Sequence, residues 1–187
     1  MTSALQPALF LDRDGVINVN HGYVHLAEQV DFIDGIFELV ARFVNAGFLP
    51  VIVTNQSGIA RGYYDTDAFN RVMQYFQSQF SQHGLPHIPV YHCPYHPDFS
   101  TPEQCQKRKP QPGMLLQAKD DLGIDMQSSV MVGDKFSDVL AASRAGVGRA
   151  VLFSTEQSQL DKLTNYQWPA SHRTQVEVVA SLDSVIA

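Results

Sequence analysis

Apolar positions along the chain fall into two patterns. Short apolar runs occur at Ala8-Leu9-Phe10, Leu49 to Val53 and Ser129 to Val132, and Val90 to His92 and Arg149 to Phe153 offer two further strands. Runs of this length without alternation read as strands buried on both faces. Between them, apolar residues recur at helical spacing. Ile36, Leu39, Val40 and Phe43 predict a helix from about Gly35 to Ala46, with Asp34 as N-cap and Gly47 as terminator. Phe69, Val72, Met73, Phe76 and Phe80 predict another over Thr66 to Gln82, closed by Gly84 and Pro86. Two further helices are expected over Gly113 to Leu122 and Ser137 to Ala145, followed near the end of the chain by a short strand at Val176 to Val179 and a helical turn at Leu182 to Ile186. The stretches Val16 to Val30 and Cys93 to Pro112 show no period. Strands alternating with helices predict an α/β fold, a Rossmann-like doubly wound parallel sheet with right-handed crossovers and helices on both faces.

That architecture gives the polar residues at strand ends their meaning, because such sheets bind ligands outside the carboxyl ends of their strands. Asp12-Arg13-Asp14-Gly15, Thr54-Asn55-Gln56-Ser57-Gly58 and Gly133-Asp134 each follow a predicted strand. Extended geometry sends Asp12 and Asp14 to one side and Arg13 to the other. Two carboxylates held that close suit a divalent cation with a taste for hard oxygen ligands, such as Mg2+. Taken alone, Asp-x-Asp-Gly is equally an ordinary polar turn.

Composition narrows the classes. A length of 187 residues predicts a single domain over 1–187. The net charge of -6 points away from nucleic acid. No run approaches a membrane span, and Met1 to Pro7 lack the charged and apolar segments of a leader, so a cytoplasmic location is expected. Cys93 and Cys105 are too few for a disulfide framework.

Four motifs in order, Asp12-Arg13-Asp14-Gly15, Val53-Thr54-Asn55, Arg108-Lys109-Pro110 and Gly133-Asp134 with Asp138 nearby, resemble the signature of the haloacid dehalogenase-like (HAD-like) phosphatases. The resemblance covers roughly residues 8 to 153. It implies Asp12 as a covalent nucleophile toward phosphorus, Asp14 as general acid and base, and Thr54 and Lys109 as groups that steady the phosphoryl oxygens. It also implies a Mg2+ held by Asp12, the backbone carbonyl of Asp14, and Asp134. Asp138 either joins the metal shell, orients a water, or is a first-turn acid favoured by the helix dipole. No large insertion separates the motifs, so no large cap domain is expected.

Asn20-His21-Gly22-Tyr23, Thr54 to Gly62 and Arg108 to Met114 are most similar to the histidinol-phosphate and heptose-bisphosphate phosphatase branch, with His21-Gly22-Tyr23 favouring heptose. This likeness implies substrate contacts from Asn20, His21, Gly22, Tyr23, Thr54, Asn55, Gln56, Ser57, Arg108, Lys109 and Lys135, a small sugar bisphosphate as partner, and a monomer. A second phosphate would explain why Arg108 and Lys135 supplement Lys109. Val16 and Asn20 depart from the residues usual at their positions. In many relatives four Cys and His residues of the proline-rich loop hold a structural Zn2+; Tyr95 and Lys107 occupy two of those places here, so zinc is not expected. Histidinol-phosphate phosphatase, a phosphotransferase and a non-catalytic phospholigand-binding protein are the competing functions.

Overall fold

The computed structural model describes residues 5–187; the first four residues of the expected leader-free terminus lie outside them. Six parallel strands form one sheet: β1 (Ala8–Leu11), β2 (Leu49–Asn55), β3 (Val90–Cys93), β4 (Val130–Gly133), β5 (Arg149–Phe153) and β6 (Gln175–Val179). Their order across the sheet is β3-β2-β1-β4-β5-β6. The chain moves from β1 outward to β3, then returns to pair β4 on the other side of β1. The seam between β1 and β4 is therefore the topological switch point, where loops part and leave a crevice.

The sheet separates two apolar layers, and strand parity assigns each residue to one of them. Leu9 and Leu11 of β1 and Ile52 of β2 face α1 (Ile36–Asn45) and α2 (Thr66–Gln82). Ala8 and Phe10, with Val51 and Val53, face α3 (Gly113–Leu122) and α4 (Phe136–Ala145). The central strands β1 and β4 are buried on both faces, which is why they read as apolar runs. Phe76 of α2 is fully buried and meets Phe32 edge-on at 5.2 Å. Replacing it by Ala is expected to cost about 3–5 kcal/mol, read as a lower urea midpoint; a loss under about 1 kcal/mol would mean the α2 face is not the core it forms here.

Three local expectations change. Helix α1 is entered through Gly35 at φ 84°, with no side-chain cap, so Asp34 is not its N-cap. The left-handed turn at Gly35 takes the place of a capping carboxylate. Strand β2 runs on through Thr54 and Asn55, because β3 continues to pair with it. A helix absent from the sequence reading, α5 (Gln157–Asn165), packs Leu160 and Leu163 on the α4 side of the sheet. Two apolar residues in nine leave too thin a stripe to signal it. No helix among the described residues is long and apolar enough to cross a membrane, and no inserted segment large enough to form a cap lies between the strands.

Candidate active site

Asp12 follows β1, and Asp134 follows β4, on either side of the switch point. Asp138 enters from the first turn of α4. Gly133 makes that approach possible, since a Cβ at this position would overlap the Asp138 side chain. Oxygens of Asp12, Asp134 and Asp138 lie within 4.8 Å of one another, the only group of three or more potential metal-ligating side chains so placed among the described residues.

Lys109 lies beneath this cluster. Its ammonium is 2.9 Å from Asp12 Oδ1 and 2.7 Å from Asp138 Oδ1, and donates to the Val53 carbonyl at 2.7 Å. Burial opposes its charge, but Asp12 and Asp138 together outweigh that and hold the ammonium above the usual lysine range. The loop carrying Lys109 is fastened by Asn55, whose amide donates to the Lys109 carbonyl and accepts from its N–H, both at 3.0 Å. Asp138 is shared: Oδ1 meets Lys109, and Oδ2 accepts the Lys135 N–H at 3.0 Å, capping α4.

Charge here does not balance. Three carboxylates face two lysines, and Lys135 reaches Asp134 only at 3.3 Å with its head half exposed. Burial, with Asp12 and Asp138 alongside, pushes the Asp134 carboxyl up to about 7. Desolvation likewise raises Asp12. Asp134 Oδ1 is buried without a hydrogen-bond partner. An excess of crowded hard-oxygen donors, one of them unpartnered, fits a divalent cation of the Mg2+ class.

Asp14 takes a different surrounding from Asp12. Its Oδ1 accepts from Arg13 Nε at 3.1 Å and Nη2 at 2.7 Å, and from Asn18 at 3.1 Å; Oδ2 accepts from Arg13 Nη2 at 2.7 Å and Gln56 Nε2 at 3.1 Å. Arg13 has the parity of Leu9 and Leu11, as expected, and its guanidinium lies 6.0 Å from the Phe69 and Phe76 rings. Yet it does not point away from the site. A fully buried guanidinium requires an anion, and the chain bends past β1 so that Asp14 supplies it. The Asp14 carboxylate is therefore not part of the three-acid cluster.

A cavity of about 470 Å³ opens over these groups. Asp12, Asp14, Asn20, Gly22, Tyr23, Asn55, Gln56, Ser57, Arg108, Lys109 and Lys135 all line it, bringing together residues from five separate segments. Tyr64, Pro110, Ser137 and Asp138 line it too.

Comparison with known proteins decides the family. The HAD-hydrolase-like family profile matches residues 106–184. The D-glycero-beta-D-manno-heptose-1,7-bisphosphate 7-phosphatase of Vibrio cholerae is 49% identical over 153 residues, covering 80% of this chain and 82% of that protein. The namesake from Escherichia coli K12 is 47% identical over 152 residues, covering 80% of each. The chain belongs to the HAD-like heptose-bisphosphate phosphatase family. A crystal structure of D,D-heptose 1,7-bisphosphate phosphatase from B. bronchiseptica, complexed with magnesium and phosphate, superposes with a TM-score of 0.78 at 29% identity, over 94% of this chain and 93% of that one.

In this phosphatase two expected site residues sit off the cavity wall. His21 is drawn outward by Asp31, Nε2 to Oδ2 at 2.6 Å, and both side chains are well exposed. Thr54 is buried behind Gln56, whose Nε2 donates to its Oγ1 at 2.8 Å. Arg13, Asn18, Tyr64 and Ser137 were not foreseen as site residues, although Arg13 and Ser137 lie within the quoted motifs. For Arg13 alone a signal existed, a cation at a buried-face parity with acids on either side. In the proline-rich loop, the His96 ring meets Arg61 Nη2 at 2.8 Å, and Cys93 is fully buried.

Proposed function

We propose that this phosphatase removes the 7-phosphate of D-glycero-D-manno-heptose 1,7-bisphosphate through a phosphorylated Asp12, in supply of the heptose of lipopolysaccharide core, acting in the cytoplasm as a monomeric single domain. The observation that carries the chemistry is the division of labour between the two acids of Asp12-Arg13-Asp14. Asp12 faces Lys109 and the acid cluster, where charge can be offset around a phosphoryl group. Asp14 stands apart in a frame of hydrogen-bond donors and still borders the cavity.

In this reading an Asp12 carboxylate oxygen attacks phosphorus, and the bond to the sugar O7 breaks as Asp14 delivers a proton to that oxygen. Asp14 then takes a proton from water as the water attacks the same phosphorus, releasing inorganic phosphate and restoring Asp12. Lys109 faces the charge that grows on the phosphoryl oxygens. Asp12, the Asp14 carbonyl and Asp134 would hold Mg2+, which when bound supplies neutralisation between nucleophile and phosphate. Asp138, with both oxygens engaged, holds Lys109 in place. Asn20, Gly22, Tyr23, Asn55, Gln56 and Ser57 border the sugar, and Arg108 and Lys135 receive its second phosphate.

The substrate assignment rests on the names of the relatives and on two cations, Arg108 and Lys135, beyond the one at the reacting phosphate. It is tested by phosphate release from the heptose bisphosphate, histidinol phosphate and simple sugar monophosphates. Expected is a kcat/KM at least about tenfold higher for the heptose bisphosphate, lost in EDTA and restored by Mg2+. Equal or better turnover of histidinol phosphate would move the protein to the neighbouring branch. Arg108→Ala should narrow that preference by about 1–3 kcal/mol while monophosphate turnover changes less.

A further inference from the structure

Gln56 is almost wholly buried, and its amide finds its partners within the protein. It carries one acceptor and two donors, and all three find partners in one orientation only. Nε2 donates to Asp14 Oδ2 at 3.1 Å and to Thr54 Oγ1 at 2.8 Å, while Oε1 accepts from Tyr64 Oη at 2.6 Å. Rotating the amide by half a turn would press Oε1 against a carboxylate oxygen. The Asp14 carboxylate, which can only accept, fixes that sense, and Tyr64, by donating to Oε1, anchors the amide in place. The Tyr64 ring is itself fixed, stacked on His25 at 5.0 Å with a 4° interplanar angle. On its other flank Gly58 admits the ring where any Cβ would overlap it.

We propose that Tyr64 is a positioning residue: its hydroxyl anchors the Gln56 amide through Oε1, and through Gln56 it aims the Asp14 carboxylate at the leaving oxygen. This inference rests on the reading of Asp14 as acid and base. The same bond acts on Thr54, whose oxygen is occupied by Gln56, so that its proton is left for another acceptor.

The test is a double-mutant cycle with Tyr64→Phe and Gln56→Met, which keep ring and side-chain length, followed on the heptose bisphosphate and on p-nitrophenyl phosphate. Tyr64→Phe should lower kcat on the heptose bisphosphate by about tenfold with KM within about twofold. Loss on the aryl phosphate burst should be several-fold smaller, because nitrophenolate leaves without a proton. Gln56→Met should lower kcat by about 100-fold, and the double variant should be no slower than Gln56→Met alone. Additive losses would overturn the action of Tyr64 through Gln56. Equal loss on both leaving groups would overturn the aiming of the acid. Should the wild type not turn over the heptose bisphosphate, only the substrate proposal fails, and the cycle is read on the steady state with aryl phosphate, where Asp14 serves as base. Asp14→Asn separates the remaining case: retained turnover removes the acid and base reading and the inference with it, whereas an inactive Asp14→Asn with an additive cycle removes the inference alone.

Discussion

Asp12→Asn is expected to lower kcat by about 10⁴-fold or more while leaving the fold intact. The amide keeps the shape of the carboxylate and can still accept the Arg13 N–H that Oδ1 accepts at 2.8 Å. It loses the nucleophile. Asp12 is buried beside Asp138, and desolvation followed by that neighbour pushes its carboxyl toward the neutral form. Removing its charge therefore relieves repulsion among the three acids, at the cost of half of the Lys109 pairing. Thermal unfolding should shift by only a few degrees in either direction. Turnover within tenfold of wild type, in a folded protein, would take the nucleophile role away from Asp12.

Lys109→Met carries the larger structural penalty. The ammonium is buried between Asp12 and Asp138 and is also hydrogen-bonded to Val53. Replacing it by a thioether of similar length leaves two buried carboxylates and a carbonyl facing an apolar group. Breaking a buried ion pair from one side costs about 3–5 kcal/mol. The urea midpoint should fall accordingly, and phosphatase activity should vanish in whatever fraction remains folded. Lys109→Arg should not rescue it, because a planar fork cannot place three donors on Asp12, Asp138 and the Val53 carbonyl as a compact ammonium does. An unfolding free energy within about 1 kcal/mol of wild type would show that the two acids do not depend on this lysine.

The parallel sheet and its carboxyl-edge site follow from features that repeat locally. Three apolar runs, Ala8 to Phe10, Leu49 to Val53 and Ser129 to Val132, each followed by polar residues, suffice to place Asp12, Thr54 and Asp134 on one edge of a sheet, because right-handed crossovers leave little choice. The helix α2 boundaries, Thr66 and Gln82, are readable because five apolar residues keep the period and Gly84 and Pro86 follow; the structure adds a cap, Asp65, whose side chain accepts from Ala68 N–H at 2.7 Å. Helix α5 escaped notice because only Leu160 and Leu163 face the core, too few to set a period.

Within the site, what escaped the sequence is the network rather than the inventory. Asn55 and Gln56 belong to a recognisable motif, but their side chains serve other protein groups, one fastening Lys109 and the other linking Asp14, Thr54 and Tyr64. Those partners are separated from them by as much as 54 residues, and nothing local marks such pairings. His21 shows the reverse case. Its place beside Gly22 and Tyr23 made it look like a substrate contact, yet a carboxylate ten residues on, Asp31, holds its ring away from the cavity. Tyr23 does reach the cavity wall, from a left-handed backbone conformation at φ 52°.

The central claim is that phosphate passes through Asp12. It is tested most directly by mixing excess enzyme with the heptose bisphosphate and Mg2+, quenching in acid within the first turnover, and reducing the protein with borohydride. An aspartyl-phosphate is reduced to homoserine, and peptide mapping should find that residue at position 12, in wild type and not in Asp12→Asn. Homoserine at any other position, or an unmodified protein while phosphate is being released, would contradict the account.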